Sequence, residues 1–164
     1  MPTRFILLCL LLLLQPGIFA QTSGNIRASA TVVEATDILL IPMKDMVIDE
    51  TSARDGILDI SPITDVKAGK ILVKGRSNSS VRLSYLNEMS LVNTTGEGTV
   101  VCKYVISGFK SDNQAASQLL DQVERIVQFS EKGEFYLWLG GKVNLSRARP
   151  GNYDGEFTIQ IEYI

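Results

Sequence analysis

Any nucleophile in this chain must work without imidazole, because none of its 164 residues is a histidine. Ser and Cys hydrolases draw their usual general base from that side chain, and catalytic zinc its commonest ligand, so most hydrolase chemistries are excluded at the outset. Carboxylate pairs are the remaining route, as in glycoside hydrolysis. The 18 acidic residues fall in no recognisable pair spacing, however, which leaves a glycan-directed carboxylate hydrolase as the least favoured reading. Gly96-Glu-Gly98 and Gly69-Lys-Ile-Leu-Val-Lys-Gly75 lack the spacing and the following helix of a phosphate-cradling loop. Asp-rich calcium loops are absent as well. The residues therefore predict a non-catalytic protein with no cofactor and no metal.

Binding chemistry is better represented than catalysis. In Glu134-Phe-Tyr-Leu-Trp-Leu139, a strand would place Phe135, Leu137 and Leu139 on one face and Tyr136 and Trp138 on the other. With the first face in the core, Tyr136 and Trp138 form an outward platform on which a sugar could stack; the alternative is that both rings pack beneath a loop or a second sheet. Cys102 alternates with Val100, Tyr104 and Ile106, which reads as a small buried hydrophobe rather than a reactive thiol. The triplets Asn78-Ser-Ser80, Asn93-Thr-Thr95 and Asn144-Leu-Ser146 would accept glycans in a eukaryotic secretory route.

Export is written at the start of the chain. Arg4, the apolar run Phe5 to Leu14, the break Gln15-Pro16-Gly17 and then Ala20 have the order of a secretory signal peptide over residues 1–20. Ten apolar residues are too few for a membrane helix, which needs roughly 20, and no later segment qualifies. Cleavage after Ala20 leaves one domain's worth of chain, destined for the periplasm, the cell surface or the medium. The formal net charge of −2 falls by one with the loss of Arg4, an acidic balance that argues against nucleic acid as a partner. Only Cys102 survives processing, so no disulfide can form within one mature chain.

The elements that must position these residues are strands. Gly151-Asn-Tyr-Asp-Gly-Glu-Phe-Thr-Ile-Gln-Ile-Glu-Tyr-Ile164 alternates with period two, placing Tyr153, Phe157, Ile159, Ile161 and Tyr163 on one face and Asn152, Asp154, Glu156, Thr158, Gln160 and Glu162 on the other. It predicts a half-buried terminal strand whose far edge needs cover from an earlier strand or another chain. Ile26, Ala28, Ala30 and Val32 alternate in the same way near the start. Between them, short β-type runs are divided by Gly, Asn, Asp and Ser clusters at the spacing of a sandwich. Pro42 marks an edge or a bulge. Lys70 to Lys74 and Val81 to Leu86 read as a pair joined by the Gly75–Ser80 loop. A turn or two of helix is predicted near 114–121, capped by Asp112, followed by a strand over about 123–129. Glu131-Lys-Gly-Glu134 reads as a hairpin turn, and Gly140-Gly141 as a bend or bulge.

The ending resembles subunits of chaperone-usher pili: Gly151 stands fourteenth from the end, followed by the alternating Phe157, Ile159 and Ile161 and the penultimate Tyr163. The stretch from Phe135 through Gly140-Gly141 to Pro150-Gly-Asn-Tyr-Asp-Gly155 is similar to a family of secreted bacterial pilin-related β-sandwiches catalogued as a domain of unknown function. That resemblance implies an all-β, immunoglobulin-like antiparallel sandwich over 37–164, lacking its last strand. Residues 21–36 would be either its own first strand or a donor extension for a neighbour. Gly151, Phe157, Ile159, Ile161 and Tyr163 would border the acceptor groove, and Ile26, Ala28, Ala30 and Val32 would be the donor. The implied partners are copies of the chain or other secreted sandwich subunits, and a periplasmic chaperone. The small donor residues and the missing disulfide depart from the pilin pattern. Two functions are thus expected: an exported structural or surface-assembly subunit of fimbrial type, or a secreted carbohydrate-binding or adhesive module.

Overall fold

The computed structural model describes residues 22–28, 37–120 and 124–164. The predicted signal peptide, and Ala30 and Val32 of the predicted donor segment, lie outside them. Among the described residues thirteen strands follow in order: β1 (Thr22–Ala28), β2 (Leu39–Lys44), β3 (Met46–Asp49), β4 (Ile57–Ile60), β5 (Gly69–Lys74), β6 (Ser80–Tyr85), β7 (Glu88–Asn93), β8 (Thr99–Phe109), β9 (Gln118–Leu119), β10 (Glu124–Gln128), β11 (Glu134–Asn144), β12 (Gly151–Phe157) and β13 (Ile159–Tyr163). The chain is all-β, as its alternation predicts, and its sheets form a sandwich-like arrangement.

The larger sheet has the order β2-β5-β11-β8-β7-β12-β1-β3, with β4 also on β11 and β9 on β8; the smaller is β10-β6-β13. Pairing is antiparallel throughout except between β1 and β12, which run parallel. Two sequence-adjacent pairs change partners to build this shape. β2 and β3 are separated by Asp45 alone, yet they sit at opposite ends of the large-sheet order, so that sheet curls round and its ends meet at Asp45. β12 and β13 are separated by Thr158 alone, and the chain there leaves the large sheet for the small one. The inward face is kept across the change: Tyr153, Phe157, Ile159 and Ile161 are all buried.

The core is the set of inward positions from both sheets, including Met46, Ile71, Leu83, Leu91, Ile106, Leu137 and Phe157. Phe157 is 1% exposed, packed edge-on against Tyr104 with ring centroids 5.0 Å apart and tilted against Tyr85 at 6.0 Å. Cys102 is fully buried, and burial pushes its thiol up to about 12, consistent with a packing role.

Several local expectations are corrected. β5 and β6 are consecutive but belong to different sheets, so the Gly75–Ser80 loop is a crossing between layers rather than a hairpin. The Glu131–Glu134 turn is likewise a crossing: β10 pairs with β6 while β11 pairs with β5 and β8, and Ser130 closes the turn by accepting the backbone N–H of Gly133. Alternation is local and reports facing, whereas pairing is decided across the fold. The helix predicted near 114–121 shrinks to one 3-10 turn, Gln114–Ala116, capped by Asn113 instead of Asp112, before the two-residue strand β9. Gly140-Gly141 does not break its strand. β11 runs through it, pairing with β5 up to Leu139 and with β4 from Gly141. Pro42 does lie on an edge strand, and the β2–β5 register shifts between Pro42 and Lys44.

Candidate functional site

The strand β12 and its neighbours make the first site. Ladder hydrogen bonds of β12 run to β7 on one side and to β1 on the other, with Thr22 opposite Gly151, Ile26 opposite Gly155 and Ala28 opposite Phe157. β1 pairs in turn with β3, Ile26 opposite Met46 and Ser23 opposite Asp49. Residues from the extreme start of the described chain thus occupy a slot whose two walls are β12 and β3. Of the predicted groove residues, only Gly151 and Phe157 stand in β12 beside the slot; Ile159, Ile161 and Tyr163 lie in β13 of the small sheet, because the chain changes sheets at Thr158. Phe157, Ile159 and Ile161 are buried and Tyr163 is partly buried. Ile26 and Ala28 of the predicted donor stand in β1, beside β12.

Gly151 opens the slot for a steric reason. Its φ is +147°, and a Cβ there would come within 2.5 Å of Thr95 Oγ1 and 2.7 Å of the Asn93 amide. Buried Asn93 accepts the Thr95 N–H at 2.9 Å and donates to the Pro150 carbonyl at 3.4 Å, tying the β7–β8 turn to the entry of β12. Away from the slot, at the end of β13 in the small sheet, the Tyr163 hydroxyl accepts the Arg76 N–H at 2.8 Å, and the Arg76 guanidinium lies 4.8 Å from the Tyr163 ring centroid. Arg76 Nε also donates to Asp37 at 2.9 Å, which joins the end of the last strand to the approach to β2. That carboxylate raises the guanidinium pKa above its ordinary value.

The second site is the outer face of β11. Tyr136 and Trp138 stack with centroids 6.2 Å apart and planes at 25°. They do not form an exposed platform: Trp138 is only 3% exposed, while Tyr136 is half-buried. Trp138 stands opposite Lys70 and Ser107, and the loops on either side close over that row. Ser107 donates to the Pro62 carbonyl, Gln114 to the carbonyls of Pro62 and Asp65, and Lys70 reaches Asp112 at 2.6 Å. Strand parity told which face Trp138 occupies; nothing local told that two loops would cover it. Tyr136 remains beside a cleft of about 500 Å³, its hydroxyl 3.2 Å from Glu134 Oε2 and its ring 5.4 Å from Lys70 Nζ. Burial and the Glu134 carboxylate push its phenol above the ordinary tyrosine value. Sequence reasoning missed this cleft, because its walls come from three separated stretches.

Among the described residues no three His, Cys, Asp or Glu side chains gather as a metal site, and no helix is long and apolar enough to cross a membrane. A family model described as "Domain of unknown function (DUF4402)" matches residues 42–163. The chain belongs to that family. No curated protein matches it. The DUF4402 match takes in both walls of the slot, β3 and β12, and both cleft aromatics; it does not include β1.

Proposed function

We propose that this DUF4402 protein is an exported, non-catalytic structural or surface-assembly subunit, polymerising by strand complementation at the slot between β12 and β3. The carrying observation is that the strand filling this slot is contributed from outside the family domain: β1 covers 22–28, whereas the matched domain begins at Pro42. A sheet position flanked on both sides and filled by a segment from outside the matched domain suits β-strand addition, in which backbone pairing supplies affinity. The same slot filled by the β1 of a neighbour would extend subunits head to tail, and a heterologous contact of this kind need not close. In this reading residues 1–20 direct export, and the protein acts in the periplasm or at the cell surface. A periplasmic chaperone would hold the slot until assembly.

The test places a cysteine on each side of the β1–β3 pairing, Asn25→Cys with Val47→Cys, which stand opposite each other, in a Cys102→Ala background. Concentrated, oxidised protein should give a ladder of covalent oligomers on a non-reducing gel, collapsing to monomer on reduction. Cross-linked monomer alone, at every concentration, would refute strand exchange.

A further inference from the structure

The cleft beside Tyr136 is a second site of different chemistry, and it shares no residue with the slot between β12 and β3. We infer that it binds a neutral oligosaccharide, with Tyr136 as the stacking ring. Its volume of about 500 Å³ lies within the range of small-molecule sites, roughly 300–1,000 Å³. Two aromatics line it: Phe129, 2% exposed, and Tyr136, which stacks on Trp138. Stacked on Trp138 and approached by Lys70 Nζ at 5.4 Å, the half-buried Tyr136 ring is already held, so it contacts a ligand without the loss of side-chain freedom that a mobile ring would suffer.

The walls supply amides and hydroxyls from Asn78, Gln128, Ser111 and Ser130. These groups both donate and accept, which is what a sugar's hydroxyls require and what an apolar ligand does not. Gln128 is held by its bond from Nε2 to the Asn78 carbonyl at 3.0 Å, leaving its side-chain oxygen as an acceptor. The charges lining the cleft are Lys110 and Lys132 against Asp112, Glu131 and Glu134. Two of the three carboxylates already face lysines, Asp112 with Lys70 at 2.6 Å and Glu134 with Lys74 at 3.7 Å. The field is therefore nearly balanced, which disfavours a phosphorylated or sulfated ligand and a polycation alike, while both neutralised carboxylates keep lone pairs for hydroxyl donors.

Trp138 is the chain's one tryptophan and stacks on Tyr136, so its fluorescence reports the cleft through that ring. The full secreted chain is titrated with a panel of neutral oligosaccharides built of hexose or N-acetylhexosamine units, with sulfated oligosaccharides and polyphosphate in parallel. The expected result is a saturable Trp138 response to at least one neutral glycan. Tyr136→Ala should weaken that binding about tenfold, Tyr136→Phe should leave it nearly unchanged, and Gln128→Ala, at an exposed position, should weaken it with the fold retained, as circular dichroism would show. No response to any neutral glycan, a response only to the anionic ligands, or binding indifferent to both Tyr136→Ala and Gln128→Ala would each overturn the inference. None of these outcomes bears on strand exchange, so the two readings fail separately.

Discussion

Gly140 offers a sharp test of how β11 is built, because the obstacle to a side chain there is backbone. A Cβ on Gly140 would stand 2.2 Å from the Ile60 carbonyl oxygen and 2.7 Å from the nitrogen and Cδ of Pro62. Its φ lies outside the left-handed region, so Gly140→Ala carries no conformational strain of its own and the collision alone decides the effect. Neither neighbour can rotate away. If the fold absorbs the methyl by small shifts, overpacking of this kind costs about 1–3 kcal/mol. If instead β4 is pushed off β11, the pairs Gly141–Ile60 to Asn144–Ile57 part, and Leu58 and Ile60, 2% and 1% exposed, lose burial worth roughly 1.5–3 kcal/mol each. The reduced freedom of the unfolded chain returns only about 0.4–1 kcal/mol. Between these two outcomes we expect a net destabilisation of roughly 1–5 kcal/mol, read as a lower urea midpoint at unchanged slope, and as a melting temperature lower by about 2–20 °C. Gly96→Ala is the control: nothing lies within 4 Å of its Cβ, and it should be neutral or slightly stabilising. A Gly140→Ala protein within about 0.5 kcal/mol of wild type would refute the close approach of Ile60 and Pro62 on which this account rests.

Two further outcomes follow from the core and from the end of the last strand. Cys102 should resist iodoacetamide in the native protein at mildly alkaline pH and react fully in denaturant, as mass spectrometry would record. Because folding raises this thiol from 9.0 to about 12, the stabilisation linked to it is intact below pH 9 and drains as pH rises toward 12, so Cys102→Ala should flatten that alkaline loss. Tyr163→Phe removes the acceptor of the Arg76 N–H, and should lower stability by about 0.5–1.5 kcal/mol in urea titration while leaving the fold's circular dichroism unchanged.

Facing was legible in the residues; partnership was not. The alternation from Tyr153 to Tyr163 and the β-type runs between turn clusters determined an all-β chain and told which side chains point inward, since successive residues on any strand must take opposite faces. Buried Phe157, Ile159, Ile161 and Cys102 follow from that rule with no tertiary information. Hydrogen-bond partners do not, because every strand carries the same donors and acceptors and the choice among them is made by packing across the whole chain. Only the tertiary structure split β5 from β6 and β10 from β11 between layers, carried the last strand from one sheet to the other at Thr158, and set β1 parallel to β12. It also decided the fate of the two aromatics: parity put Tyr136 and Trp138 on one face, and loops closing from Pro62 and Gln114 buried one ring while leaving the other at a cleft.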